Sequence, residues 1–259
     1  MKLLLILLSC LLTAAAVHAA EPTSLSAKEL AMQLSEKQQD GSSYVRLKMT
    51  VKSPALLLQL QIKQRRTAAS TEVVYQVLWP KTRAGEAVLL RQSGNQPASG
   101  YLFTPPDNLQ TLDASQMKNG LFGTDLTYAD VVENFFAWDN QNLVGTEVVD
   151  RVPCHILESK PSAGQRSIYT SVRTWIDTRR LVPLRIEKTS RSGPPVRRID
   201  ITHIVTDDLG RAVPANFFVS GSNESSGTEI EGAKLTHQVN LSDSELTPDG
   251  LKEVTVPRR

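Results

Sequence analysis

Downstream of residue 20 the chain carries three histidines, His155, His203 and His237. None stands in an HExxH pattern and neither cysteine stands in a CxxC pair, so no spacing assembles a metal ligand set. Cys154 beside His155 has the residue types of a thiol nucleophile and its base. Neighbours on a strand point to opposite faces, however, so Cys154 reads as a small buried apolar residue. Asp207-Asp208-Leu209-Gly210 has the carboxylates of a calcium loop, but a solvated turn explains it more simply. No G-x-S-x-G elbow, P-loop or GxGxxG occurs. Arg197-Arg198 and Arg258-Arg259 read as solvated charge pairs. These residues imply a protein that binds rather than catalyses, with no cofactor and no metal.

The composition narrows the class of ligand. With 29 Lys+Arg against 27 Asp+Glu, the net charge is +2, which lacks the basic excess of a dedicated nucleic-acid binder. Forty per cent hydrophobic residues exclude a disordered chain, and 14 Gly with 14 Pro exclude a collagen-like one.

Residues 1–19 have the layout of a secretory signal peptide: Lys2, the apolar run Leu3 to Leu12, then small residues with Val17 and Ala19 before the cut. The run falls short of the roughly 20 residues that span a bilayer. Leu7-Leu8-Ser9-Cys10 is a weaker match to a lipoprotein cleavage box. Cleavage after Ala19 leaves Cys154 as the remaining cysteine, so no intramolecular disulfide forms, which suits the bacterial periplasm.

Local pattern supplies the elements. Ser26 with Glu29 is a capping box, and Ala27, Leu30, Ala31 and Leu34 share one helical face ending near Asp40-Gly41. The period then changes to two through Val45, Leu47, Met49 and Val51, Leu56 to Ile62, and Val73 to Trp79. Strands are expected at 85–92 and 100–104, followed by a segment broken at Pro105-Pro106. Thr127 with Asp130 caps a second helix whose apolar face is Val131, Val132, Phe135 and Phe136. Strands return at 145–149, 154–160, 168–177, 184–189, 197–205, 215–221 and 229–240, with a hairpin about Thr178-Arg179-Arg180. About ten or eleven strands with two or three helices predict one curved antiparallel sheet. No linker demands a second domain, so residues 20–259 read as one.

Apolar residues exceed what one buried face requires. Leu56-Leu57-Leu58, Val73-Val74, Val77-Leu78 and Val88-Leu89-Leu90 place them on both faces. Either the sheet is buried on both sides, or a curved sheet encloses an apolar cavity under helices. Periodicity is equally compatible with both. On the second account the lining comes from Leu47, Met49, Leu58, Leu60, Trp79, Val88 and Leu90, with Phe122, Val132, Phe135 and Phe136 from the cover.

Several segments resemble the LolA-like superfamily of periplasmic outer-membrane lipoprotein carriers, especially its branch of lipoprotein-sorting proteins. Pro80-Lys81-Thr82-Arg83-Ala84-Gly85 before Ala87-Val88-Leu89-Leu90 looks like that branch's turn into an apolar strand. Tyr101-Leu102-Phe103-Thr104-Pro105 resembles its aromatic-proline strand. The most specific match is Phe122-Gly123-Thr124-Asp125-Leu126-Thr127-Tyr128-Ala129-Asp130-Val131. Trp175-Ile176-Asp177, Pro183 to Glu187, and Gly210 with Pro214 fit the later strands. The likeness covers most of residues 26–255.

The resemblance implies an incomplete antiparallel β-barrel whose open side is covered by helices. It also implies a non-enzymatic periplasmic carrier or chaperone of lipid or lipoprotein acyl chains. The partners it implies are an inner-membrane transporter of RND or ABC type and an outer-membrane acceptor. The best-known carriers have an arginine before the proline of the strand-ending turn, where this chain has Trp79. They also carry basic residues where it has Asp107-Asn108-Leu109-Gln110, which points to a different lipid cargo. A sensor domain of the RseB type or an accessory protein of an RND-type exporter is the competing class. Within the signature, Asp125 and Thr127 are expected to accept hydrogen bonds at the start of the Tyr128 helix, and Gly123 to permit a left-handed turn. N-terminal sequencing of the secreted protein is expected to find a chain beginning at or near Ala20; an acylated Cys10 would overturn the cleavage assignment.

Overall fold

Ser26 caps the first helix, α1 (Ala27–Gln38). Its hydroxyl accepts from the Glu29 amide at 3.2 Å, while the Glu29 carboxylate accepts from the Ser26 amide at 2.9 Å. Leu30, Ala31 and Leu34 bury the face that their spacing forecasts. Gly41, at φ +72°, turns the chain into the first strand. The computed structural model describes residues 25–94, 96–191, 195–221, 227–232 and 235–257. The expected signal peptide and Arg258-Arg259 lie outside them.

The strands are β1 (Gly41–Val51), β2 (Leu56–Arg66), β3 (Ser70–Trp79), β4 (Ala87–Ser93), β5 (Ser99–Thr104), β6 (Asn108–Leu112) and β7 (Asn140–Val149). They continue as β8 (Val152–Lys160), β9 (Ser171–Asp177), β10 (Pro183–Thr189), β11 (Pro195–Thr206), β12 (Ala212–Gly221), β13 (Thr228–Gly232) and β14 (Thr236–His237). They form a 14-stranded sheet in the order β6-β5-β4-β3-β2-β1-β13-β12-β11-β10-β9-β8-β7, with β14 also on β1. The protein is mainly β, and the sheet is antiparallel and not closed: β6 and β7 are its edges. Each half of the order is a meander of hairpins, as the strand-turn spacing predicts. The two halves meet where β1 pairs with β13, matching Met49 to Ile230.

The sheet has two strands beyond the ranges expected from the sequence, for local reasons. Pro105-Pro106-Asp107 is a hairpin turn, after which β6 pairs back on β5 from Thr104 opposite Asn108. The expected strand 229–240 divides into β13 and the two-residue β14. The second helix, α2 (Tyr128–Val132), spans only five residues. Phe135 and Phe136 therefore sit not on it but on a separate 3-10 turn, Phe135–Ala137.

Both readings of the apolar excess apply, in different places. Leu58, Leu60 and Ile62 of β2, Val73, Tyr75 and Val77 of β3, and Val88 and Leu90 of β4 bury one face, the inner one, against α1 and residues 117–138. Val74, Ala87, Leu89 and Phe103 bury the outer face under Leu246 and Leu251 of the C-terminal segment. Polar residues hold that segment down. Gln61 donates to Gln76 at 2.8 Å, and Gln76 donates to the carbonyls of Leu251 and Glu253, each at 3.2 Å. Lys63, buried on the outer face, donates to Glu245 at 2.9 Å.

Burial opposes the charge on Glu245, but the Thr255 hydroxyl and Lys63 outweigh it and hold its carboxyl at about 2. A carboxyl that titrates lower when folded stabilises fully above its unfolded value, and that contribution fades as pH falls toward 2. Glu245→Gln leaves Lys63 without its charge partner and is expected to cost on the order of 3 kcal/mol at pH 7. Urea melts of variant and parent should differ at pH 7 and converge as pH falls below about 4.5.

Candidate functional site

The loop before α2 is built from the signature residues. Gly120 has no room for a side chain, because a Cβ there would stand 2.3 Å from the Thr124 carbonyl oxygen. Gly123 takes the left-handed turn at φ +86°. Thr124 donates its hydroxyl to the Leu121 carbonyl at 2.8 Å, closing the loop. Thr127 caps α2 by accepting from the Asp130 amide at 3.1 Å. Asp125 does not share that role as expected. It accepts from the Thr228 hydroxyl at 2.8 Å, and its amide donates to the same oxygen at 3.0 Å, fastening the loop to β13.

Asp130 has two tasks. One carboxylate oxygen accepts from the amide and hydroxyl of Thr127, each at 2.8 Å. The other accepts from Lys188 of β10 at 2.8 Å and from the Tyr169 hydroxyl at 2.7 Å. Arg197 of β11 lies 3.5 Å away. The side chains of Asp130 and Lys188 are 0% and 2% exposed, so this is an ion pair out of water. Burial works against the Asp130 charge, yet Lys188, the Thr127 amide and Tyr169 together hold its carboxyl below the usual range. Lys188 also lies over the rings of Tyr169 and Phe135, at 5.0 Å and 5.3 Å. Arg197 is accordingly not a solvated charge but faces the buried site.

The 3-10 turn is anchored from both sides. Gln141 of β7 donates to the carbonyls of Phe135, Phe136 and Trp138 at 3.1, 3.2 and 2.8 Å. Asn134 donates to Ser35 of α1 at 2.9 Å. Beneath this cover lies a cavity of about 410 Å³, within the size range of small-molecule sites. Phe135, Phe136 and Leu34 line it from the cover; Ile186, Ile199, Ile201 and Phe217 line it from β10, β11 and β12. Its polar lining includes Lys37, Asp40, Arg66, Glu133, Lys188 and Arg211.

Of the expected lining, Phe135 and Phe136 border this cavity. Leu47, Met49, Leu58, Leu60, Val88, Leu90, Phe122 and Val132 belong to the packed inner-face cluster, with Tyr128 of the signature among them. Trp79, at the end of β3, is 41% exposed. Sequence reading missed Lys188, Tyr169, Arg66 and the isoleucines of β10 and β11. A signal existed for some of them. Lys188 shares the parity of Ile186, and Arg197 that of Ile199 and Ile201, so both basic residues point to the inner face.

The remaining candidates have other places. Cys154 is buried with Trp175 and Leu184 in a separate cluster, and burial pushes its thiol up. The Asp207–Gly210 turn is only partly solvated. Buried Asp207 accepts from Arg211 at 2.9 Å, and Asp208 holds the Nδ1 side of His237, whose Nε2 lies 2.9 Å from Asp40. Among the described residues, no group of three or more His, Cys, Asp and Glu is arranged to hold a metal ion.

A family model for an uncharacterized protein matches residues 69–253. No curated protein matches the sequence. A DUF1329 family protein from Desulfovibrio piger superposes with TM-score 0.80 at 19% identity, over 87% of this chain and 97% of that one. A putative outer membrane lipoprotein-sorting protein domain from Vibrio parahaemolyticus gives 0.78 at 16%, over 88% and 98%. A LolA superfamily protein from Nitrosomonas europaea gives 0.69 at 16%, over 86% and 98%.

Glu133, at the cavity wall, accepts from the Ser167 hydroxyl at 2.6 Å. Burial pushes its carboxyl from the ordinary 4.5 up to about 7 against the pull of Ser167 and Lys188. Because the unfolded chain loses that proton more readily, stability should fall as pH rises from about 4.5 to 7, by up to about 3 kcal/mol. Glu133→Gln keeps an acceptor for Ser167 and removes the slope. Its thermal midpoint should exceed that of the parent at pH 8 and match it at pH 4, as read by differential scanning calorimetry.

Proposed function

The chain belongs to the uncharacterized-protein family that its residues 69–253 match, and it has the fold of LolA-superfamily proteins, from which we propose that it is a non-enzymatic carrier of lipid acyl chains. The observation that carries this reading is the cavity between the cover and β10–β12, walled by Phe135, Phe136, Ile186, Ile199, Ile201 and Phe217. An apolar cavity under an open sheet offers a chain what water does not. Burying roughly eight methylenes contributes about 6 kcal/mol before the entropy of immobilisation is subtracted. The lining gives little hold to a reacting group: Lys188 is committed to Asp130, and Cys154 is buried in another cluster. The N-terminal pattern and the superposed lipoprotein-sorting domain support a periplasmic site of action, with an inner-membrane transporter and an outer-membrane acceptor as partners.

Uptake would be eased by separation of the cover from the sheet. The cover is tied by discrete polar contacts, such as Arg66 to the Val131 carbonyl at 2.8 Å and Gln141 of β7 to the Trp138 carbonyl at 2.8 Å, which can break singly. Native mass spectrometry of protein purified from the periplasm tests the reading. The parent is expected to carry lipid, Ile199→Trp to carry several-fold less because it fills the cavity, and Phe136→Asp to carry almost none because a charge would stand unpaired there. Circular dichroism establishes that each variant is folded. A parent free of lipid that also takes up no added fatty acid would end the proposal.

A further inference from the structure

The basic residues at the partly exposed part of the cavity lining are not all matched by acids. Lys37, at the end of α1, donates to the carbonyls of Leu181 and Arg180 at 3.0 Å and 3.3 Å. Arg66, at the end of β2, donates to the Val131 carbonyl at 2.8 Å and to Gln64 at 3.1 Å. Among the described residues, no carboxylate oxygen forms an ion pair with either. Burial, and after it the nearby Arg211, lowers the proton affinity of Lys37, but Arg211 is itself engaged by Asp207 at 2.9 Å. All three line the same cavity as Ile199 and Phe217. Arg66 and Arg211 both act on Asp40, which places them around one carboxylate.

Asp40 is the acidic residue within this group. One of its oxygens is taken by His237 at 2.9 Å. The other, Oδ1, is buried without a hydrogen-bond partner although the side chain is only 6% exposed. Burial raises the Asp40 carboxyl, against the pull of His237, Arg66 and Arg211. The group thus offers two cations with neutral partners and one acceptor in want of a donor. Such a set fits an anionic head with a hydroxyl beside it, at the boundary between water and an apolar cavity.

We propose that the cavity takes a single-chain amphiphile with its chain among Ile199, Ile201 and Phe217 and its anionic head, carboxylate or phosphate, between Lys37 and Arg66. This deepens the carrier reading and rests on it. An arginine fork suits a two-oxygen head, and the lysine adds a point charge that adapts to either chemistry. Asp40 Oδ1 would accept from a glycerol hydroxyl adjoining a phosphate, which a fatty acid lacks.

Three probes with the same twelve-carbon chain test this by isothermal titration calorimetry at pH 8 in low salt. They are laurate, lauroyl lysophosphatidate and uncharged monolaurin. The parent is expected to bind at least one anionic probe tenfold or more tightly than monolaurin, and which one identifies the head as carboxylate or phosphate. In Arg66→Gln and in Lys37→Gln the ratio of anionic to neutral affinity should fall toward one, while Arg66→Lys keeps most of it. Lys37→Gln, at the end of α1, keeps the test open should Arg66→Gln fail to fold. Equal affinity for all three probes in the parent, or an unchanged ratio in folded variants, overturns the head site and leaves the carrier reading standing. Failure of all three to bind overturns both.

Discussion

The Asp130 carboxylate is the constraint around which the site is arranged. It caps α2 through Thr127 and pairs with Lys188 on β10, so one buried charge joins the signature loop to the far half of the sheet. Removing either member of such a pair leaves the other unpaired out of water, typically at a cost of about 3–5 kcal/mol. The tolerance for error is small because the Tyr169 hydroxyl and Arg197 converge on the same group. Lys188 in turn lies under the Phe135 ring, so the position of the cover follows from the position of the charge.

The second constraint is the open sheet itself. An antiparallel sheet that does not close has two faces to protect as well as two edges. The half containing β2, β3 and β4 is covered on both sides, by α1 and the 117–138 segment within and by the C-terminal segment without. That double burial explains why Val73 and Val74, or Val88, Leu89 and Leu90, are consecutive apolar residues. Over β10, β11 and β12 the cover instead leaves a cavity. A cavity is costly for an isolated fold, since its walls lose packing partners.

The charged lining differs in exposure. Asp130 and Lys188 are buried and paired with each other, Glu133 is buried with a raised carboxyl, and Lys37, Arg66 and Arg211 are partly exposed. An amphiphile of the kind proposed above would be oriented by desolvation before any individual hydrogen bond is counted.

What could be read from the sequence was local or periodic. Ser26 with Glu29 and Thr127 with Asp130 are contacts three residues apart, so their capping boxes form as their spacing predicts. Alternation at Val45 to Ile62 and Val73 to Trp79 determined strands, because side chains on a strand have a period of two, and the consecutive apolar residues within them marked burial beyond one face. The signature segment 122–131 pointed to the LolA-like fold. Other features depended on residues far apart in sequence. Nothing near Asp125 reveals Thr228, nothing near Lys188 reveals Asp130, and the break between Val132 and Phe135 turns on Gln141 and Ser35. The cavity itself required knowing which strands lie beneath the 128–137 cover. Periodicity says which residues share a face; only the folded chain decides which of those faces pack tightly and which are held apart, because that depends on the distance at which a buried charge pair fixes one layer over another.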